Sequence, residues 1–458
     1  MAENRKFRSL VLALLLAAGP AAPTCAQILG GGLPGLPGGG TVLGGLPGGL
    51  ADTPRVRAPD GVGGRALAPI ERIADELTAA PLSDLRRLTA DRLLRRHADV
   101  VEADDNGRPV VRGEVLATGL APEAVTRLRQ AGFNPRADDE LGGLGLRAFV
   151  LHAPRGLSAV EAIQKLRSLD PAGQYDFNHV YQEGGAVEAS AAGRQGAGSG
   201  DGRGLRIGLI DGGVDRSAPA LSQAHLIQQA FGPRGGGLSA HGTAVASLIA
   251  GEARRFHGAA PGAALYVADV YGPSPAGGSA EGVARALAWL DRSGTPVINI
   301  SLVGPPNLLL KAAVEAMLAR GHLIVAAVGN DGPAAPPLYP AAYPGVVAVT
   351  GVDARRQVLP EAGRGTHVDF AAPGADMAAA RVGGGFVTVR GTSFAAPIVA
   401  GQLARTLASE GPAGAVAALG RAAADLGAPG PDPVYGRGLV GADLRADPAG
   451  VGAIKASQ

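Results

Sequence analysis

Four side chains of this sequence, Asp211, His241, Asn330 and Ser393, form a set that can carry out acyl transfer. A serine hydroxyl is a weak nucleophile until a neutral imidazole takes its proton. The imidazole needs a carboxylate that fixes its tautomer and stabilises its charged form. The anionic tetrahedral intermediate then needs donors already in place. The Asn330 side chain and the backbone N–H of Ser393, at a helix start where peptide dipoles favour negative charge, are the candidates. Taken singly, each residue has an ordinary reading. Asp211 could be a turn acid, His241 a cap or surface group, Ser393 an N-cap serine and Asn330 a turn residue before Asp331-Gly332. What separates the readings is that all four fall at strand ends or helix starts, where an open α/β sheet gathers its site.

The elements that must hold them begin at Leu205. Nearly continuous apolar runs span Leu205–Ile210, Ala264–Val270, Val297–Leu302, Leu323–Val328 and Val346–Val352, with helical patterns between most of them. Strands apolar on both faces, alternating with helices, imply an α/β fold with a doubly wound, mostly parallel sheet. Asp211 follows the first run, Asn299 lies in the third and Asn330 follows the fourth. His241-Gly242-Thr243-Ala244 and Ser393-Phe394-Ala395-Ala396 each open a small-residue helix that lets another backbone come close.

Residues 108–186 alternate differently. Strand patterns at Val110–Ala117, Arg147–His152 and Tyr175–Tyr181 enclose helical patterns at Pro122–Ala131 and Ser158–Leu169. Proline is tolerated in the first turn of the former, and Ser158 with Glu161 has capping-box spacing in the latter. The unit predicts a small α+β, ferredoxin-like domain of the split βαβ kind. Residues 187–203 are rich in Gly, Ala and Ser and predict a linker. Within 56–107 a helical pattern over 66–98 places Leu82, Leu85, Leu88, Leu93 and Leu94 on one stripe. Arg86, Arg87, Arg92, Arg95 and Arg96 fall on the other faces, with Asp84 and Asp91 between them. That mixture predicts a solvated face rather than a membrane-binding one.

Ile210-Asp211-Gly212-Gly213-Val214-Asp215, His241-Gly242-Thr243, Ala327-Val328-Gly329-Asn330-Asp331-Gly332 and Gly391-Thr392-Ser393-Phe394-Ala395-Ala396-Pro397 occur in that order. Together they resemble the motifs of the subtilisin-like serine proteases, the subtilases, over about residues 204–446. The resemblance implies a serine endopeptidase with Asp211, His241 and Ser393 as triad and Asn330 in the oxyanion hole. It implies that Ser301, Leu302 and Val303 form one wall of the substrate groove and Ala327, Val328 and Gly329 the other. It also implies that residues 108–186 are a propeptide, a chaperone and inhibitor whose tail sits in the active site. Self-cleavage is then expected between about Tyr181 and Gly204. Two departures stand out. Val303 replaces a glycine common after Ser301-Leu302, which predicts a narrow groove for small or medium apolar side chains. The loop 251–258 is short and basic where some members carry a calcium loop, so no metal site is expected there. Calcium elsewhere stays open, since carbonyl ligands leave no trace in sequence.

His225, His257 and His322 lack any matching context, Asp215 reads as a site-supporting turn acid, and Trp289 reads as core. A binding protein on an inactivated protease fold predicts loss of a triad residue, and none is lost. A dedicated envelope processing protease with one protein substrate is the alternative that the motifs do not separate from a general one.

The 458 residues carry a formal net charge of +2, which gives no electrostatic footprint for nucleic acid. Arg5, Lys6 and Arg8 precede an apolar run, Leu10–Ala18, and Thr24-Cys25-Ala26 offers small residues to a signal peptidase. That run is too short to span a bilayer. Residues 1–26 are therefore expected to direct secretion or periplasmic export, removing Cys25, the one cysteine, and leaving a chain without disulfides. Residues 27–55 repeat Gly, Leu and Pro without collagen periodicity and predict a flexible linker, and 447–458 a C-terminal tail. The expected partners are protein or peptide substrates and the chain's own propeptide, with a monomeric enzyme and no stable membrane insertion.

Overall fold

The computed structural model describes residues 82–187 and 202–451. The expected export signal, the Gly-Leu-Pro stretch, the helical pattern before residue 82, most of the linker and the end of the C-terminal tail lie outside them.

Helix α1 (Leu82–Arg96) leads into β1 (Val101–Ala103) and β2 (Pro109–Thr118). Helix α2 (Pro122–Gln130), β3 (Asn134–Ala137), a 3₁₀ turn (Asp139–Leu144) and β4 (Ala148–His152) follow. Helix α3 (Ala159–Leu169) and β5 (Gln174–His179) complete the unit. In the antiparallel sheet β5 and β4 flank β2, β3 lies beyond β4, and β1 pairs with β2 near its start. This is the split βαβ arrangement expected. The α3 start closes as a capping box: Ser158 Oγ accepts the Glu161 N–H at 3.3 Å, and Glu161 Oε2 accepts the Ser158 N–H at 2.8 Å. Strand alternation sorts the sheet into two faces. Val115, Ala117, Phe149 and Leu151 pack on α2 and α3. Leu116, Ala148 and Val150 instead join the core of the larger domain. The stripe expected on α1 is broken, because Leu88 is exposed while Leu93 and Leu94 pack near Val101 and Val180.

Two short strands, β6 (Gln182–Glu183) and β7 (Ala186–Val187), precede the larger domain. It begins with β8 (Arg206–Asp211), β9 (His225–Ala230) and helix α4 (Ala240–Ala250). A hairpin of β10 (Glu252–Ala253) and β11 (Phe256–His257) occupies the short basic loop. Then come β12 (Ala264–Asp269), α5 (Ala280–Arg292), β13 (Val297–Ile300), β14 (Leu302–Val303) and α6 (Leu308–Ala319). The remainder is β15 (Leu323–Ala327), β16 (Val347–Val352), β17 (Val368–Pro373), β18 (Met377–Ala380), β19 (Phe386–Arg390) and α7 (Ala396–Ala422), the last broken at Gly411–Pro412.

The apolar runs become a seven-stranded sheet in the order β17-β16-β15-β13-β8-β12-β9, parallel throughout. Helices α4 and α7 cover one face and α5 and α6 the other, so the central strands are buried on both sides. The third run ends sooner than its hydrophobicity suggests. Ile300 closes β13, and Leu302–Val303 leave the sheet for a separate antiparallel pairing.

Candidate active site

β8 carries Asp211 at its carboxyl end and is the strand where the sheet reverses direction of growth. β12 and β9 lie on one side of it, β13 to β17 on the other. The crevice at such a reversal is the usual ligand site of an open α/β sheet. Asp211 is fully buried. Its Oδ1 accepts the Gly212 N–H at 2.7 Å, and both oxygens lie 3.0 Å from His241 Nδ1.

His241 is the second residue of α4, whose start is capped by Ser239 Oγ accepting the Gly242 N–H at 3.0 Å. Gly242 is required by space: a Cβ there would lie 2.2 Å from the Gly212 carbonyl oxygen. The small residue after His241 thus lets the helix start touch the turn after β8. The Phe394 ring covers the imidazole, with centroids 5.1 Å apart. Burial works against the imidazolium, but the charge and hydrogen bond of Asp211 and the charge of Glu183 outweigh it and raise the His241 pKa to about 9.

Ser393 lies in a 3₁₀ turn, Thr392–Phe394, just before α7. Ser301 Oγ donates to the Ser393 carbonyl at 3.0 Å, and Asn299 Nδ2 donates to Ser301 Oγ at 2.8 Å. Ser301, expected in the groove wall, therefore turns its side chain to the loop behind Ser393. Asn330 Oδ1 accepts the Thr392 N–H at 3.0 Å, which leaves Nδ2 free to donate toward the cleft. Of the opposite wall, Ala327 ends β15 within the core, and the Val328 N–H donates to Val349 O at 3.1 Å. Gly329 approaches Val303: a Cβ on Gly329 would lie 3.6 Å from Val303 Cγ1 and 2.5 Å from Leu338 Cδ1.

The chain itself runs through this cleft. β6 pairs antiparallel with β14, matching Gln182 to Val303 and Glu183 to Leu302. β7 pairs antiparallel with β19. Between them Gly184 and Gly185 pass Ser393: Cβ atoms there would lie 3.0 and 3.2 Å from Ser393 Oγ. The Gly184 carbonyl accepts the hydrogen bond from Asn330 Nδ2. His241 Nε2 and Ser393 Oγ are buried and have no hydrogen-bond partner among the described residues. Glu183 Oε1 accepts from Ser239 Oγ at 3.1 Å. A polar atom of Glu183, one of Asp211 and one of His241 all lie within 4.8 Å of one another.

Arg86 of α1, read as one of a solvated row, reaches the same cleft. Its Nη1 donates to Asp331 Oδ2 at 2.9 Å and its Nη2 to the Val303 carbonyl at 3.2 Å. The space bounded by Arg86, Glu183, Tyr271, Val303, Asp331 and Arg390 is about 1000 Å³. The residues read as bystanders stay outside the Asp211–His241–Ser393 cluster. His322 bonds Thr295 O and Asp291, and His225 and His257 are exposed. Asp215 accepts the N–H groups of Ser217 and Gly383, and Trp289 packs on Phe231 and Tyr266.

The sequence profile described as the Subtilase family matches residues 202–438, more than half of the chain. The chain belongs to the Subtilase family. Subtilisin of Bacillus pumilus is 33% identical over 215 residues, covering 45% of this subtilase and 78% of that protein. Subtilisin E of Bacillus subtilis (strain 168) is 33% identical over the same length, and only 56% of it is spanned. In fold, this subtilase resembles fervidolysin from Fervidobacterium pennivorans, a keratinolytic enzyme related to subtilisin. The TM-score is 0.62 at 21% identity, over 75% of this chain and 62% of that one. As a member of the family it is a serine-type endopeptidase with proteins as substrates. No helix among the described residues is long and apolar enough to cross a membrane.

Proposed function

We propose that this subtilase is an exported endopeptidase, made as a precursor that cuts itself between Gly184 and Gly185. The observation that carries the reading is the Gly184 carbonyl hydrogen-bonded to Asn330 with Ser393 Oγ beside the same residue. Ser393 Oγ attacks the Gly184 carbonyl carbon while its proton passes to His241 Nε2. Asp211 holds His241 by Nδ1 and stabilises the imidazolium. Negative charge on the Gly184 oxygen is met by Asn330 Nδ2 and the Ser393 N–H. The carbon–nitrogen bond to Gly185 then breaks, and the Gly185 nitrogen takes the proton from His241. Water, deprotonated by His241, hydrolyses the acyl-enzyme and restores Ser393. Residues up to Gly184 serve as the propeptide, and the pairings of β6 with β14 and of β7 with β19 support that role, since they treat the chain as substrate on both sides of the bond. The basic and apolar pattern of residues 5–18 supports export, with cleavage after Ala26.

The test is N-terminal sequencing and intact mass of the exported wild-type protein beside Ser393→Ala. The wild type should yield a new N-terminus at Gly185. The variant should begin at Gln27 and remain whole. A variant that still cuts at Gly185 would remove Ser393 from the reaction.

A further inference from the structure

The segment held in the cleft is closely fitted at three residues and loosely at the two between, which is how a sequence-selective site treats its substrate. We propose that the enzyme selects protein segments of the form tyrosine, any two residues, glycine, glycine, and cuts between the glycines. The inference rests on the reading of Ser393 as nucleophile and of Tyr181–Val187 as a bound substrate.

Tyr181 is completely buried. Its backbone is held on both sides: the N–H donates to Gly278 O at 2.8 Å, and the carbonyl accepts from Tyr271 Oη at 3.2 Å. The ring lies where the side chain of residue 304 would be. A Cβ on Gly304 would fall 2.4 Å from Tyr181 Cδ1 and 2.5 Å from Cε1. No unusual backbone angle demands glycine at 304, so its role is to leave room for a ring. At the far end Tyr181 Oη donates to the Pro305 carbonyl at 2.6 Å. That acceptor distinguishes tyrosine from phenylalanine, because a phenylalanine ring would bury the carbonyl without a partner.

The second fitted position is Gly185. A Cβ there would lie 2.6 Å from Phe394 Cε2 and 3.3 Å from Arg390 O. Phe394 is itself fully buried against His241 and has no room to retreat. The third is Gly184, where a Cβ would meet Ser393 Oγ at 3.0 Å with Asn330 Nδ2 and Val303 Cγ2 just beyond. A Cβ this near the hydroxyl is tighter than an ordinary contact, so the position favours glycine. Val303, which replaces a smaller residue in the resemblance, is thus part of the reason that the bond is cut after glycine. By contrast Gln182 and Glu183 are held by backbone pairing to β14, and Glu183 is partly in water. Neither side chain fills a closed pocket, so the two positions exclude little by shape, while a carboxylate at the second meets Ser239 and His241.

The test uses the processed wild-type protein and blocked heptapeptides. The reference is Tyr-Gln-Glu-Gly-Gly-Ala-Val, and casein serves as a general substrate. Putting alanine for the tyrosine should lower kcat/KM about 10- to 100-fold, the scale of one buried aromatic side chain. Phenylalanine should lower it about 2- to 10-fold, the scale of one hydrogen bond. Leucine for the second glycine should abolish cutting at that bond. Gly304→Ala should reduce the ratio of rates for the tyrosine and alanine peptides at least about tenfold, a ratio independent of how much enzyme folds. Casein digestion with equal rates on all four peptides would overturn the selectivity and leave the proposed endopeptidase intact. Failure to cut casein or any peptide would overturn both.

Discussion

Glu183 should delay self-cleavage by holding His241 charged, and replacing it with glutamine should hasten the cut at neutral pH. The His241 pKa in the uncut chain is raised to about 9, so at pH 7 only about 1% of the imidazole is free to accept the Ser393 proton. Glu183, Asp211 and His241 atoms lie within 4.8 Å, where a unit charge pair is worth about 0.9 kcal/mol in water and about 3.5 kcal/mol at an effective dielectric of 20. Since one pKa unit is about 1.4 kcal/mol and Glu183 keeps one side in water, the loss of its charge should lower the His241 pKa by about one unit. Desolvation raises the Glu183 carboxyl, the imidazolium opposes that, and Asp211 adds to it. The assay is refolding of denatured full chain into buffers from pH 6 to 10, with cut and intact masses followed in time. Glu183→Gln should cut roughly tenfold faster at pH 7, with the rising limb of its profile displaced to lower pH. The same coupling sets a stability trend. A raised histidine contributes fully below its ordinary value of 6.5, and the contribution fades as pH rises through about 9. In a Ser393→Ala background, Glu183→Gln should therefore be more destabilising at pH 6 than at pH 10, where the carboxylate faces a neutral imidazole and keeps its desolvation and the Asp211 charge, so that its removal is neutral to stabilising. A rising limb that stays in place, or moves to higher pH, would refute the coupling.

Three other outcomes are expected. Asn330→Ala should lower kcat by about 10²- to 10³-fold with little change in KM, the scale set by the equivalent donor in the related subtilisin, as read by steady-state kinetics on a chromogenic peptide. Arg86→Ala should speed release of the cut N-terminal fragment about 2- to 10-fold, since Arg86 and Asp331 are each about one-fifth exposed and such a pair is worth little more than a surface one; the lag before activity appears would measure it. Gly242→Ala should push α4 away from the Gly212 carbonyl, lowering both the unfolding temperature and the turnover; unchanged turnover would show that the His241 position does not depend on that contact.

The seven-stranded domain was legible where burial is two-sided. Five apolar runs mark β8, β12, β13, β15 and β16, because such strands need no polar face. β9 escaped, since His225–Ala230 lies at the sheet edge and carries Gln228 and Gln229. β17 escaped because Asp369 interrupts it. The four candidate site residues stood out because each sits in a motif of small neighbours, and the reason for one of those is now visible at Gly242. Arg86 and Glu183 did not stand out. An arginine on a charged helix looks the same whether it faces water or a cleft, and only the docking of α1 distinguishes them. Likewise β6 and β7 are two residues each, too short for any periodicity, and exist by pairing with β14 and β19.

The all-parallel sheet has a kinetic consequence. Such a sheet contains no hairpins, so every neighbouring pair must be closed through a long crossover before its contacts bring any return. β8 and β13, adjacent at the centre, are separated in the chain by two strands of the sheet, the β10–β11 hairpin and two helices. High contact order of this kind makes a slow folder. In the antiparallel unit before it, the 3₁₀ turn grips both helices of one sheet face. Glu140 bonds Arg285 of α5 at 2.7 Å, Arg320 at the end of α6 bonds the Gly143 carbonyl at 2.7 Å, and Leu141 and Leu144 pack in the shared core. If that unit forms first, it sets α5 beside α6 and shortens the search for β13, which lies between them in the chain. Under the proposed self-cleavage, the active site would remove the domain that had set two of its own helices together.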